Sequence, residues 1–289
     1  MKILVLGCKG QVGRCLNDQL TNTDNEVLYT SREQIDIADF EQTKSQILKI
    51  CPDVVINATA YTAVDKAEED QEIANLINNL AVENIANICN QQGCCLVHVS
   101  TDYVFDGSSN EPYKEHDQTN PQSVYGETKL KGELAIQSSG CKHIIIRTAW
   151  VFSEYGNNFL KTMLRLGTER DELSVVRDQI GCPTYAQDIA KAIVKILPSL
   201  SSQEIYGLYH YCGDQPCSWH DFATIIFGEA KIRRMPFPTK INAIDSICFP
   251  TKARRPQYSV LDSGLIESEF MINASDWRKG VIKSLERLI

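Results

Sequence analysis

The sequence contains no Cys-x-x-Cys pair, although 11 of its 289 residues are cysteine. Structural zinc sites usually draw on such closely spaced pairs, so the spacing predicts no metal site. The cysteines are scattered from Cys8 to Cys248 and their number is odd. No secretion signal is recognisable, and disulfides are rare without one. We therefore expect free thiols that serve mostly as small buried hydrophobic residues.

Long apolar runs and an excess of positive charge are also missing. The short apolar run before Gly7 is far below the length of a signal-peptide core, and no later run reaches the roughly 18 apolar residues of a membrane span. We expect a cytoplasmic protein that has no membrane partner. The net charge of −8 repels polyanions, so nucleic acid is not an expected partner.

Short apolar runs alternate with stretches of helix-like spacing in the first half of the chain. The runs predicted to be strands are Ile3 to Leu6, Val27 to Tyr29, Val54 to Asn57, Leu96 to Val99 and Ile144 to Arg147. Continuous apolar strands joined by helices indicate a parallel sheet covered on both faces. This pattern predicts an α/β fold, a Rossmann-type doubly wound parallel sheet, over residues 1–150. Residues 151–289 are predicted to form a smaller, partly helical substrate-binding lobe, interleaved with late Rossmann elements.

A glycine motif follows the first predicted strand and precedes a predicted helix. Its residues Gly7, Gly10 and Gly13 have the Gly-x-x-Gly-x-x-Gly spacing of short-chain dehydrogenases. Glycines allow a tight turn and a close approach of the backbone to pyrophosphate, and the helix N-terminus attracts its charge. The motif therefore predicts a dinucleotide site. Small residues around Ala58, at the end of the third strand, would let the cofactor pass.

The end of the second predicted strand bears on the choice of cofactor. An acidic residue there would bind the ribose hydroxyls of NAD, but this chain has Ser31 and Arg32. A hydroxyl and a planar guanidinium suit a 2′-phosphate, which favours NADPH. The neighbouring Glu33 leaves NADH open. Asp36 and Ile37 are predicted to border the adenine.

The catalytic prediction rests on Tyr125 and Lys129. Residues four apart share one face of a helix, so the phenol and the ammonium can meet at one site. A nearby cation would bring the phenol's pKa closer to neutral pH and make it a proton donor to a carbonyl oxygen. Thr101, after the fourth strand, can hydrogen-bond the developing alkoxide. A Tyr-x-x-x-Lys spacing alone is common by chance, but this order of elements is not.

Longer phrases resemble one family, the dTDP-4-dehydrorhamnose reductases, over nearly the whole chain. The phrases run over residues 57–67, 100–107, 125–133, 147–152, 157–159, 178–184, 219–221 and 255–256. The resemblance implies reduction of the C4 keto group of dTDP-4-dehydro-β-L-rhamnose by NADPH or NADH. It also implies that Tyr125 is the proton donor and Lys129 its partner.

The resemblance also implies binding residues. The residues expected to contact the cofactor are Gly10, Gln11, Val12, Ala60, Tyr61, Thr62 and Val99, with Tyr125 and Lys129. Those expected to contact the substrate are Thr101, Asp102, Trp150, Asn158, Gln179, Trp219 and Arg255. Arg255 is the candidate cation for the substrate's pyrophosphate. The alternative is a surface arginine that pairs with a nearby carboxylate.

One departure from the family's pattern, one related reaction and one alternative function bear on this prediction. Some family members hold magnesium at a dimer interface with a glutamate at the position of Cys15, and a thiol cannot replace that oxygen ligand. We therefore expect a monomer or a homodimer that lacks a metal bridge. Asp102 is followed by Tyr103 rather than by a second carboxylate, which argues against sugar dehydration. The alternative function is a non-catalytic NADP-binding regulator that resembles the β subunit of methionine adenosyltransferase.

Overall fold

The computed structural model of the chain describes residues 1–21, 23–201 and 205–289. The strands in these ranges are β1 Lys2–Leu6, β2 Glu26–Thr30, β3 Val54–Asn57, β4 Cys95–Thr101, β5 His143–Thr148, β6 Val151–Phe152, β7 Glu172–Val176, β8 Ile180–Gly181, β9 Thr184–Tyr185, β10 Gly207–His210, β11 Cys217–Ser218 and β12 Lys240–Ile244.

The α-helices are α1 Gln11–Leu20, α2 Phe40–Ile50, α3 Val64–Ala67, α4 Gln71–Asn75, α5 Ala81–Gln92, α6 Val124–Ser138, α7 Phe159–Glu169, α8 Ala186–Ile196, α9 Trp219–Ile232, α10 Gly264–Phe270 and α11 Trp277–Leu288. A π-helical turn, Leu76–Leu80, joins α4 to α5. Short 3₁₀ turns cover Asp102–Val104, Leu197–Ser201 and Ser246–Cys248.

The central sheet has six strands among the described residues, in the order β10-β5-β4-β3-β1-β2. Every neighbouring pair is parallel. Each of the five strands predicted from the sequence lies within an observed strand, and β10 comes from the late part of the chain. The predicted α/β fold is confirmed.

Alternate residues of each strand supply the two faces of this sheet. Ile3 and Val5 of β1 pack in one core with α1 and α8, whereas Leu4 and Leu6 pack in another with α2 and α5. All four side chains are essentially fully buried. Burying an aliphatic side chain contributes about 1.5–3 kcal/mol, so the two cores together hold the sheet between its helices.

The later part of the chain builds a third apolar cluster, in which α7, α9 and α11 surround aromatic residues. Phe152, Tyr185, Phe222 and Trp277 lie at its centre and are buried. Two further elements of the late chain return to the Rossmann half, since β10 pairs with β5 and α8 packs on α1. The domain boundary at residue 150 stays a prediction.

Neither a metal-binding cluster nor a membrane-spanning helix occurs in the described part of the chain. It contains no group of three or more His, Cys, Asp or Glu side chains that could hold a metal ion. Its helices are all too short or too polar to cross a bilayer.

Candidate active site

The glycine motif forms a tight loop between β1 and α1. Gly7 has a φ of +83°, and a Cβ added at Gly13 would lie 2.2 Å from the Gly7 carbonyl oxygen. Gly10 precedes α1, and no side chain caps the first N–H groups of the helix, which opens with Gln11 and Val12. Free N–H groups at a helix N-terminus bind phosphate. This loop therefore fits the pyrophosphate of a dinucleotide.

The residues predicted for the adenosine end follow β2. Ser31 is buried and its N–H donates to the Gln34 side chain at 2.9 Å. Arg32 is 78% exposed in its side chain and contacts Asp36 through Nε, 3.2 Å from Oδ2. Ile37 is buried in the sheet's core with Leu4 and Leu6, so its side chain supports this edge from inside.

The segment after β3 approaches the glycine loop. The Ala58 N–H donates to the Leu6 carbonyl, and a Cβ at Gly7 would lie 3.1 Å from the Ala58 backbone. Tyr61 is anchored at both ends, because its N–H donates to Asn78 at 2.8 Å and its hydroxyl to Asp70 at 2.9 Å. Ala60 lies between Ala58 and Tyr61 in the chain, and Thr62 is exposed. The predicted cofactor residues of β1 and β3 thus meet at one edge of the sheet.

Helix α6 presents Tyr125, Lys129 and Glu133 on one face, at successive four-residue intervals. The Ser123 hydroxyl caps its N-terminus by accepting from the Gly126 N–H at 3.2 Å. A Cβ at Gly126 would lie 2.2 Å from the Tyr103 carbonyl oxygen, so only glycine allows this crossing of α6 with the 3₁₀ turn. The close approach brings the α6 face against the end of β4.

Tyr125 is partly exposed and lies among the residues that end β4. The Tyr103 ring meets its edge with centroids 5.5 Å apart, and the Thr101 hydroxyl lies close enough to lower the pKa of the phenol. Desolvation of the phenol nevertheless raises the pKa of Tyr125 above its ordinary value, because it outweighs the effect of Thr101. The phenol is therefore protonated at neutral pH, which is the form that donates a proton.

Asp102 is buried beside this pair, and burial raises the pKa of its carboxyl to about 6. Its Oδ1 accepts from the Thr101 hydroxyl at 3.0 Å. Its Oδ2 is buried and has no hydrogen-bond partner within the described ranges. The nearby Ser259 hydroxyl lowers the pKa of the Asp102 carboxyl, but by less than burial raises it. An unpartnered buried oxygen is costly, so a donor on a bound ligand would be favoured here.

Lys129 is almost fully buried and does not lie against the Tyr125 hydroxyl. Its Nζ lies 2.7 Å from the Val99 carbonyl oxygen, to which it donates, and 3.0 Å from the His98 Nε2. Burial lowers the pKa of Lys129 to about 8, against a smaller rise from Glu133. The sequence predicts that the lysine cation lowers the tyrosine pKa, but desolvation is the larger effect on the pKa of both groups.

A buried ion pair continues the α6 face below Lys129. Arg147 of β5 donates through Nη2 to Glu133 Oε2 at 2.6 Å and through Nε to both carboxylate oxygens. Ser100 donates to the same carboxylate, and Arg147 Nη1 lies 3.4 Å from His210 Nε2. Burial, and then the arginine charge, lower the pKa of His210 to about 3. This half of the face is satisfied within the protein.

The two tryptophans predicted for the substrate lie in contact with each other. The rings of Trp150 and Trp219 stack with centroids 3.4 Å apart and planes within 4°. Trp150 has a φ of 46°, in the left-handed region that a bulky residue rarely adopts. A Cβ at Gly181 would lie 2.5 Å from its indole, so the ring is held between Gly181 and Trp219.

Asn158 and Gln179 differ in how the structure uses them. The Asn158 Oδ1 caps α7 through the Lys161 N–H, and its Nδ2 donates to Gln11 Oε1 at 2.8 Å. Asn158 therefore ties the second lobe to the glycine loop, and its predicted substrate contact would require an exchange of partners. Gln179 lies half-buried between β7 and β8.

Arg255 is paired with a carboxylate in this structure. Its Nη2 donates to Asp65 Oδ2 at 2.9 Å, and its side chain is 28% exposed. Its Nε is buried and has no hydrogen-bond partner among the described residues. The pairing is the alternative that the sequence left open, but the guanidinium also acts electrostatically on Tyr103 beside Tyr125. Arg255 therefore lies near the predicted reaction centre.

Sequence reasoning missed the polar partners inside the sheet. Asn57 and His98 are neighbours across β3 and β4, both fully buried. Glu133 and Arg147 were noted only as parts of longer phrases. The available signal was a polar residue within an otherwise apolar strand, since buried polar groups need partners.

Comparisons with known proteins agree over the full chain. The family described as the RmlD substrate binding domain matches residues 1–289. A dTDP-4-dehydrorhamnose reductase of Escherichia coli is 42% identical, covering 100% of this chain and 98% of that protein. The crystal structure of a Clostridium acetobutylicum dTDP-4-dehydrorhamnose reductase superposes with a TM-score of 0.93, at 38% identity over 100% of this chain and 99% of the other. That of the Bacillus anthracis enzyme, in complex with NADP, gives 0.91 at 33% identity and 99% of both chains. The chain belongs to the family of the dTDP-4-dehydrorhamnose reductases.

Proposed function

We propose that this protein reduces the C4 keto group of dTDP-4-dehydro-β-L-rhamnose to dTDP-β-L-rhamnose, using NADPH or NADH. The observation that carries the proposal is the placement of Tyr125 with Thr101 at the carboxyl end of β4. This is the edge of the sheet at which the glycine loop lies, and ligands of doubly wound sheets bind at that edge. The full-length likeness to reductases of this name supports the same substrate.

The reaction needs a hydride, which the reduced nicotinamide supplies when bound, and a proton for the former carbonyl oxygen. Tyr125 gives that proton through its hydroxyl, and Thr101 orients it by a hydrogen bond. Lys129 in its ammonium form stabilises the tyrosine anion that remains, which requires Nζ to turn from the His98 ring towards the phenol. Asp102 Oδ2, buried and unpartnered in the described ranges, would accept from a sugar hydroxyl.

Arg255 would bind the substrate's pyrophosphate by exchanging Asp65 for phosphate oxygens. The exposed part of its side chain and its unpartnered Nε leave room for such an exchange. Trp150 and Trp219 would form one wall of the sugar site, and Asn158 and Gln179 would border it. These roles remain proposals.

NADPH is the proposed cofactor of preference. Ser31 and Arg32 lie at the end of β2, and the arginine is held only by the exposed Asp36 pair. Exposed pairs contribute at most about 1 kcal/mol, so a 2′-phosphate would compete well for this guanidinium. Asp36 would then turn to the ribose or to solvent.

The proposed setting is the cytoplasm, and the proposed assembly is a monomer or a homodimer without a metal bridge. Cys15 is fully buried in the core, and burial raises its pKa, so it offers no thiolate to a cation. The carboxylates nearest to it, Asp18 and Glu154, are paired with Arg287. The guanidinium of Arg287 thus supplies positive charge beside these two carboxylates.

The test is incubation with purified dTDP-4-dehydro-L-rhamnose and each cofactor in turn. We expect oxidation of the cofactor and a product whose NMR spectrum is that of dTDP-L-rhamnose. A protein that binds NADPH but turns over no keto-sugar would instead be the non-catalytic regulator.

A further inference from the structure

The Lys129 amine lies at the end of a hydrogen-bonded chain of buried polar side chains. The proposed reaction uses Lys129 but none of the other members of this hydrogen-bonded chain. The chain runs from Thr59 through Asn57 and His98 to Lys129, across β3, β4 and α6. Asn57 and His98 are 0% exposed and Lys129 is 1% exposed. Because bulk solvent does not reach these side chains, their hydrogen atoms call for acceptors within the protein.

The orientation of the Asn57 amide is fixed at one end. The backbone N–H of Thr59 can only donate, and it lies 3.0 Å from Asn57 Oδ1. The Thr59 hydroxyl donates to the same oxygen at 2.5 Å. Turning the amide over would place two NH groups against each other, so the Asn57 Nδ2 must face His98.

That orientation fixes the proton on His98. The Asn57 Nδ2 lies 3.2 Å from His98 Nδ1, which must therefore accept. A neutral imidazole carries its single proton on the other nitrogen, so His98 Nε2 is a donor. Among the described residues, the hydrogen-bonding group that this nitrogen faces is the Lys129 Nζ, at 3.0 Å. A donor there calls for the lone pair of a neutral amine.

We propose that His98 is a positioning residue for Lys129: oriented by Asn57, it donates from Nε2 to the lone pair of Nζ and so favours the neutral amine over the ammonium. The inference rests on the proposed function, in which Lys129 later acts as an ammonium. Protonation of the amine breaks the His98 bond and frees Nζ to turn towards Tyr125. Asn57 and His98 thus couple the position of the lysine to its charge.

The other ionisable groups around Lys129 act in known directions. Glu133, on the same helix, favours the ammonium, but Arg147 neutralises that carboxylate through a buried ion pair. Tyr125 is protonated and uncharged in this state. Burial holds the pKa of His98 well below its ordinary range, which agrees with a neutral ring.

The first test observes the imidazole nitrogens of the ligand-free protein by NMR after ¹⁵N-histidine labelling. The signal that disappears in His98→Gln belongs to His98. We expect a neutral ring protonated at Nε2 that does not titrate between about pH 5.5 and 8, where ordinary histidines do. A ring protonated at Nδ1, or one that titrates in this interval, would overturn the proposal. Neither result depends on turnover, so a failure here is separate from a failure of the proposed function.

The second test reverses the direction of the hydrogen bonds at His98 by the nearly isosteric change Asn57→Asp. A carboxylate can accept from both Thr59 and His98, so the His98 proton should move to Nδ1 and leave Nε2 as an acceptor for the ammonium. We expect the NMR spectrum to show this switch. The alkaline fall of kcat/KM, which follows loss of the Lys129 proton, should move up by about one pH unit or more.

The matched control is Asn84→Asp, which adds the same charge on α5, where the Asn84 side chain donates to the Phe40 carbonyl. It should leave both the tautomer and the alkaline fall unchanged. An Asn57→Asp variant that keeps the wild-type tautomer or the wild-type pH profile would contradict the role of His98. If that variant fails to fold, the wild-type tautomer from the first test still decides.

Discussion

The buried face of α6 and the two ligand-binding candidates Arg32 and Arg255 hold their charges in opposite ways. On α6, Lys129 and Glu133 are buried and each contacts fixed partners within the sheet. Arg32 and Arg255 instead hold single carboxylates at the surface or half-buried. The first region sets geometry and protonation before any ligand arrives. The second holds cations in weak pairs that a ligand's phosphates can take over.

The difference follows from desolvation. A buried charge left without its partner costs several kcal/mol, so the α6 face cannot exchange partners freely. Exposed pairs gain little, and their loss on ligand binding is correspondingly cheap. The α6 face, whose partners are fixed, is therefore suited to catalysis. Arg32 and Arg255, whose partners can be exchanged, are suited to binding anions.

The largest effect should come from the α6 face, with Tyr125→Phe. Turnover should fall by about 10²- to 10⁴-fold because the proton donor is lost, while cofactor affinity changes little. Steady-state kinetics and NADPH titration measure the two. Tyr209→Phe is the control, since this buried tyrosine only donates to the Ile205 carbonyl. Near-normal turnover in Tyr125→Phe would remove the assigned role.

The second effect concerns stability, through Arg147→Met. This change leaves Glu133 buried without its cation and should lower the free energy of unfolding by about 3–5 kcal/mol. Urea denaturation measures the loss. Arg165→Met breaks the exposed pair with Glu169 and should cost under about 1 kcal/mol. Equal losses in the two variants would erase the contrast between the regions.

A smaller effect is expected at the exchangeable arginine of the second lobe. Arg255→Ala should raise the KM for the dTDP-sugar about tenfold, a typical result for one charge-assisted contact, and leave NADPH affinity intact. Asp65→Asn should leave KM unchanged or lower it, because the guanidinium is released. Arg177→Ala, which breaks an exposed pair with Asp245, is the control. If Asp65→Asn changed the KM and Arg255→Ala did not, the ion pair would have a purely structural role.

The smallest effect is expected at Arg32. Arg32→Ala should raise the Kd for NADPH a few-fold, by roughly the 1 kcal/mol of an exposed phosphate contact, and that for NADH less. Fluorescence titration measures the two Kd values, and NADH serves as the control for NADPH. Equal changes for both would mean that Arg32 does not meet the 2′-phosphate.

Sequence patterns predicted what is local. Gly7 and Gly13 predict the loop because a side chain at either position would be strained or would clash, and the four-residue interval of Tyr125 and Lys129 is a property of any helix. The partners of Lys129 could not be predicted in this way. They depend on the register that sets Asn57 beside His98 and on the depth of the lysine, both of which arise only when β3, β4 and α6 pack together.

The Trp150–Trp219 stack gives the protein an optical reporter. Two parallel indoles 3.4 Å apart couple their electronic transitions, whereas the Trp277 ring packs edge-on against Phe222 in the same lobe. The near-ultraviolet circular dichroism of the protein should therefore carry a signal from the pair that neither tryptophan would give alone. A sugar that parts the rings would abolish this signal, so occupancy of the site can be observed without any reaction.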